Sequence, residues 1–133
     1  MATRRMISRE IICSDVFVEM PYVSQALYIQ MIVNADDDGF VANPKQITRS
    51  IGANDESIQV LIDRGFVYTF KTGIMVIKHW LAQNKVQADR YKPTKYASEK
   101  NQLSVNAEKE YVLKEDNLVS IMDTKRIQFV SNS

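Results

Sequence analysis

The amino-acid sequence predicts an α+β fold, mainly α, built on two helices joined by a tight turn and followed by a two-stranded hairpin. Three observations carry that expectation. Asn43-Pro44 reads as a helix start, because Asn is a strong N-cap and Pro at the first helical position gives up no hydrogen bond the helix would make. Gly52 and Gly65 are placed to end two successive helices, the second capped by Asn54-Asp55, since Gly reaches the left-handed C-cap conformation without a Cβ clash. About three residues then separate the helices, the spacing of a helix-turn-helix unit. Residues 66–70 and 74–78 flank Lys71-Thr72-Gly73, a connection ending in Gly that suits a hairpin with a left-handed bulge position.

A helix-turn-helix with a trailing hairpin is the core of a winged helix. The sequence is therefore read as a winged helix-turn-helix over residues 1–83, with a basic segment and C-terminal extension, partly irregular, over residues 84–133. Residues 4–12 read as an arm or a short strand, and Asp15 starts a helical turn that Pro21 ends. Residues 22–33 are apolar at nine of twelve positions, too long a run for a strand. A helix apolar on all sides is either deeply buried or keeps one face for a partner, and burial is the expectation here. Asp36-Asp37-Asp38-Gly39 imitates the start of a calcium loop, as do Asn34 and the spacing to Gly39. The bidentate Glu such a loop requires is replaced by Lys45, so a turn into a short strand is expected, its aspartates taking local N–H groups.

In the hairpin, Phe66, Tyr68 and Phe70 alternate with Val67 and Thr69, which predicts one aromatic face on the helices, while residues 74–77 are apolar throughout and predict burial on both sides. His79-Trp80 reads as a packed structural pair. Lys92-Pro93 breaks any helix, and residues 96–103 can form a short one. Residues 111–113 and 118–122 lean towards β structure and predict a small ribbon or a poorly ordered tail. The expected core is Leu27, Met31, Phe40, Ile47, Ile51, Ile58, Leu61, Ile62, Phe66, Tyr68, Ile74, Val76 and Trp80.

Composition narrows the class. The chain has 133 residues, 45% hydrophobic and 25% charged, in the range of a globular domain. A single cysteine, Cys13, allows no internal disulfide and makes the cytoplasm the expected compartment. The N-terminus lacks the apolar run of a secretory signal, and no stretch approaches the ~20 apolar residues of a membrane span. An enzyme is the weakest reading. There is no Gly-rich phosphate loop, His79 is the only histidine and lies far from Cys13 in sequence, and the paired acids sit in polar turns where their pKa values would not be tuned for catalysis. No cofactor or metal is implied.

Net charge is +1, but it is unevenly placed. Residues 71–100 hold seven basic side chains against Asp89 and Glu99, whereas residues 51–70 hold Arg64 against Asp55, Glu56 and Asp63. A local basic stretch is a footprint of phosphate binding and also an ordinary way to keep a segment soluble. The second helix is a poor reader of a polyanion: with Ile58, Leu61 and Ile62 facing the core, its outer side shows Glu56, Val60 and Asp63, leaving Asn54, Gln59 and Arg64 as candidates. The other candidate DNA contacts surround it. They are Lys45 and Arg49, one turn apart; Lys71 and Thr72 at the hairpin tip; Arg4 and Arg5 as an arm; and Lys85, Arg90, Lys92 and Lys95 after the hairpin. Tyr91 and Tyr96 are interleaved with the last group, a pattern suited to single-stranded DNA.

The strings ADDDGFVANPKQITRSIGANDESIQVLIDRGFV, VIKHW and DRYKPTKY, with RRMISREI before them, resemble one family: the winged-helix N-terminal domain of phage replisome organisers and replication initiators, related to DnaD-type primosome proteins. The resemblance runs from about residue 4 to about residue 100 and continues weakly through VSIMDTKRI. It implies a role in starting phage or prophage DNA replication: binding origin duplex or single-stranded DNA, recruiting helicase-loading proteins, and forming homo-oligomers. Longer members continue into a second, helical domain, so the chain is expected to be a short relative or an N-terminal part. Two other readings stay open. One is a protein-interaction or oligomerisation scaffold of a primosome, using Val60 and the outer side of residues 22–33. The other is a phage transcriptional regulator.

Overall fold

In the computed structural model, which describes residues 4–114, the N-terminal stretch forms two helical turns, α1 (Arg9–Ile12) and α2 (Asp15–Val18), ahead of the longest helix, α3 (Tyr22–Asn34). Residues 9–12 are thus helical rather than a strand. The extended part before them finds no sheet edge. Met6 instead pairs its N–H and C=O with the side-chain amide of Asn84, and Ser8 N–H donates to Gln83 Oε1. Ser14 caps α2 by accepting from Phe17 N–H, and Phe17 and Met20 are buried beneath.

Helix α3 is buried on one face only. Leu27, Tyr28, Met31 and Ile32 are fully enclosed, whereas Tyr22, Val23, Ile29 and Val33 are exposed. The expectation of burial is corrected to that extent: the fold supplies partners for one side of this helix. Phe17, Tyr28 and Phe66 meet edge to face, with ring centroids 5.4–5.6 Å apart, an arrangement favoured by aromatic quadrupoles. Burial raises the Tyr28 hydroxyl to about pKa 12 against the opposing effect of its hydrogen bond from Gln83 Nε2.

A short strand, β1 (Phe40–Val41), leads into α4 (Pro44–Ser50) and α5 (Asp55–Asp63). Pro44 stands at the start of α4 as expected, but Asn43 makes no side-chain cap; its amide lies 3.4 Å from Gln46 Oε1. Helix α4 stops at Gly52, at φ +73°, where Ala53 N–H donates back to Thr48 O. Asn54 Oδ1 accepts from Ser57 N–H and starts α5. Phe66 N–H returning to Leu61 O ends it, across Gly65 at φ +79°.

Strands β2 (Val67–Thr69) and β3 (Met75–Ile77) pair antiparallel across Lys71-Thr72-Gly73, with Gly73 at φ +87° and Gly73 N–H donating to Phe70 O. Strand β1 joins the other edge of β3, giving the order β1-β3-β2 with Val76 opposite both Phe40 and Tyr68. As the central strand, β3 is buried throughout, as its unbroken apolar run predicts. Strand β2 departs from the one-faced expectation, because Val67 is fully buried as well. Tyr68, on the face opposite Val67, donates its OH to Tyr111 O, so the C-terminal ribbon covers that face.

Helix α6 (Trp80–Gln83) follows the hairpin. Residues 84–96 form no helix or strand; then come α7 (Ala97–Lys100) and a ribbon of β4 (Leu103–Val105) and β5 (Tyr111–Leu113). The ribbon is the appended one expected, while residues 118–122 lie outside the described residues. Leu103 and Tyr111 join the same core as Phe40 and Trp80, so the extension up to residue 114 is packed onto the preceding domain. Of the expected core, Ile51, Ile62, Tyr68 and Ile74 are only half-buried; the others are enclosed. Among the described residues the chain is α+β with small antiparallel sheets, and no helix is long and apolar enough to cross a membrane.

Two glycines allow the backbone constraint to be separated from close packing. Gly39 and Gly52 both have positive φ, but a Cβ on Gly39 would lie 2.5 Å from Trp80 Cγ, whereas one on Gly52 meets open space. Gly52→Ala is expected to cost about 1–2 kcal/mol, the left-handed penalty alone. Gly39→Ala is expected to cost roughly 1–3 kcal/mol more through overpacking against Trp80. Urea unfolding of the two variants measures the difference.

Candidate nucleic-acid interface

The loop between α3 and β1 organises the site. Asp36 Oδ1 accepts from the N–H groups of Asp38 and Phe40, the local turn expected from an aspartate before Gly. Its neighbours reach much further. Asp37 accepts from Arg5 Nη1 and from Lys92 N–H, both at 3.0 Å, and its carbonyl accepts from Trp80 Nε1 at 2.9 Å. Asp38 accepts from Tyr91 OH, Thr94 N–H and Lys100 Nζ, and its carbonyl from Tyr111 OH. Thr94 Oγ1 donates to Asp36 Oδ2. Buried carboxylates are costly unless charged partners and hydrogen bonds satisfy them. Here the donors come from the arm, α6, residues 91–94, α7 and β5, so three acids tie the irregular segment to the core.

Asp37 shows the balance of terms. Burial pushes its carboxyl up, but the Lys92 N–H, the Arg5 hydrogen bonds and the Arg5 charge outweigh that and hold it below the usual carboxylate range. Glu99 is also held low, chiefly by the hydroxyl of Thr72, whose Oγ1 donates to Glu99 Oε2 at 2.7 Å. That contact links the hairpin turn to α7. His79 is pushed down by burial, against the pull of Glu110 at 3.1 Å, and its Nδ1 has no hydrogen-bond partner.

Two cavities adjoin at Ala42 and Asn43, one against α4, α5 and the hairpin, the other against the end of α3, β1 and residues 92–96. The larger, about 560 Å³, lies between α5 and the hairpin turn. Ile58, Ile62, Phe70 and Met75 give it an apolar lining, and Lys45, Lys71, Asn43, Gln46 and Gln59 a polar one, with Asp55 the single acid. The smaller, about 290 Å³, is lined by Phe40, Asp36, Lys92, Lys95 and Tyr96 among others. The two share Ala42 and Asn43. Lys95 Nζ stands 5.6 Å over the Tyr96 ring, a cation beside an aromatic face.

The structure thus gathers Lys45, Gln59, Lys71, Thr72, Lys92 and Lys95 around adjoining hollows. It does not gather the rest. Arg5 is taken up inside the fold: its side chain is 6% exposed, paired with Asp37 and 5.2 Å over the Trp80 ring. Thr72 lines the larger cavity, but its hydroxyl donates to Glu99, which removes it as a free donor at the hairpin tip. Asn54 is occupied in capping α5, and Gln59 Nε2 donates to Asp63. Arg64 lies near Glu19 at 3.9 Å, on another side, beside His79 and Glu110. Lys85 lines a separate hollow with Asp37, Asp38 and Tyr91. Arg4, Arg49 and Arg90 are exposed and line neither of the two cavities. Sequence reasoning named Tyr96 beside Lys95 but missed Asn43 and Gln46 as lining residues; their closeness to Lys45 in the chain was the only available signal.

The outer side of α5 keeps the character read from its sequence. Glu56 and Asp63 are exposed and Val60 is half-buried. A carboxylate held ~4 Å from a phosphate costs about 1 kcal/mol even at the dielectric constant of bulk water. The chain matches no protein-family model, no curated protein and no solved structure.

The carboxylate loop sets an acid limit on stability. Asp37 has its folded-state pKa below the unfolded value, so its contribution is complete above about pH 4 and is lost as pH falls through the folded value. Glu99 acts in the same direction. Asp37→Asn leaves Arg5 buried without its counter-charge and is expected to cost roughly 3–5 kcal/mol at neutral pH. Its stability should also fall less steeply than the parent's below about pH 4, as urea unfolding at several pH values would show.

Proposed function

We propose that this chain is a winged-helix DNA-binding domain acting in the initiation of phage or prophage DNA replication, in the cytoplasm of a bacterial host. The observation that carries the reading is the placement of Lys45, Lys71, Lys92 and Lys95 around two adjoining cavities beside the two-helix corner and hairpin. These residues come from three separate parts of the sequence, and their grouping suits a polyanion better than chance solubilising charge does. The element order α3-β1-α4-α5-β2-β3, with sheet order β1-β3-β2, supports the winged-helix part. The replication role rests on the resemblance of its strings to replisome organisers. Binding without a catalytic step, and without a cofactor, is part of the proposal, as is recruitment of helicase-loading proteins.

A second reading has its own observation. The outer side of α3 exposes Tyr22, Val23, Ile29 and Val33 and carries no ionised side chain, which suits an oligomerising scaffold. Light scattering on the full chain separates the two. A monomer that binds DNA supports the first, and a stable oligomer indifferent to DNA supports the second.

The DNA reading makes a salt prediction. Neutralising Lys92 and Lys95 together by alanine should flatten the plot of log affinity against log salt by roughly two units, about one per phosphate contact. Single-stranded and duplex probes should both be titrated, since either form satisfies this reading. An unchanged slope on both would place the phosphates elsewhere.

A further inference from the structure

We propose that the two adjoining cavities are the track of an unpaired nucleic-acid strand, crossing over Ala42 from the hairpin turn to residues 92–96. The proposal rests on the reading that the domain binds DNA and adds the form of DNA it takes.

An extended single strand presents phosphates along one side and splayed bases along the other. The larger cavity matches that division. Half-buried Ile62, with the little that Phe70 and Met75 leave at the wall, gives it an apolar floor, exposed Gln46 offers an amide for base edges, and exposed Lys45 and Lys71 supply cations for phosphates. Beyond Ala42 the half-buried Tyr96 ring, its centroid 6.5 Å from that of the enclosed Phe40, stands with exposed Lys92 and Lys95. The acids on the track are few. Asp36 is occupied by Thr94 and by backbone N–H groups, which leaves Asp55.

A duplex fits the same surface poorly. Its bases are stacked inside, and reading them requires a helix in the major groove. The helix available, α5, turns Glu56 and Asp63 to solvent. Single-strand binding uses the concave side of that helix and leaves its acidic side facing water. The main-chain N–H groups of Lys92 and Thr94 are held by Asp37 and Asp38, and the hairpin turn is tied by Thr72 to Glu99, so both ends of the track are fixed before any strand arrives.

Fluorescence anisotropy of the full chain tests this with two probes, a labelled oligo-dT of about 20 nucleotides and a blunt duplex of the same length. The oligo-dT should bind at least about tenfold tighter than the duplex, with a log–log salt slope of about −3 for four phosphate contacts. Ala42 is exposed at the junction, so Ala42→Glu puts a carboxylate on the track and should weaken oligo-dT binding about tenfold at low salt, while Ala42→Ser should leave it unchanged. Should the Glu variant fail to fold by circular dichroism, Lys45→Gln with Lys71→Gln replaces it and should flatten the slope by about 1.4. Undiminished oligo-dT binding by a folded Ala42→Glu, or an unchanged slope in the double Gln variant, overturns the track. Tighter binding of the duplex overturns it too but leaves the DNA-binding function standing. Binding of neither probe overturns both.

Discussion

The fold past residue 83 depends on three consecutive carboxylates. Residues 84–96 contain no helix and no strand, so their main-chain groups lack the partners regular structure would supply. Asp37 and Asp38 provide them, accepting from Lys92 N–H and Thr94 N–H. The same two residues close contacts with Arg5, Trp80, Lys100 and Tyr111, each from a different element. Gly39, at φ +89°, lets the loop turn against the Trp80 ring, where a side chain would not fit. A buried carboxylate without donors would destabilise the domain; a carboxylate with several donors from separate elements gives one arrangement an advantage over its alternatives.

This loop also decides which cations face solvent. Arg5 and Lys100 are drawn onto Asp37 and Asp38 as counter-charges. Burial lowers the Lys100 ammonium, and its bonds to Tyr91 and Asp38 more than reverse that, so it stays charged in place. Lys92 is treated differently. The acid holds its main chain, and the side chain remains exposed beside Lys95. The basic segment is therefore partly structural and partly outward, a division that formal charge along the sequence cannot express. The outward part adjoins the cavity beside Lys45 and Lys71, and this juxtaposition underlies the functional reading.

How much could be read beforehand follows from the range of each interaction. Gly52, Asn54, Gly65 and Gly73 act within a few residues of themselves, and all four sit in the turn or cap their type implies. The burial of β3 on both faces was legible too, because an unbroken apolar run needs cover on both sides. Long-range polar contacts were not legible. An aspartate in a turn reads as a local acceptor, and nothing around residue 37 signals an arginine 32 positions earlier. Arg5 accordingly read as part of an arm, since charge is visible in a sequence and burial is not. Tyr111 was missed from the core because its strand has no flanking turn signal, and α3 was assigned too much burial because its apolar residues leave no polar face to mark the outside.

The account stands most directly on whether the carboxylate loop holds residues 92–94 as part of the folded unit. Native-state amide hydrogen exchange on the full chain measures that. Lys92 and Thr94 N–H should exchange as slowly as those of the ribbon residue Tyr111, whose N–H donates to Lys78 O, because all three open only when the same unit opens. Exchange of the Lys92 and Thr94 amides at free-peptide rates, with Tyr111 still protected, would contradict it.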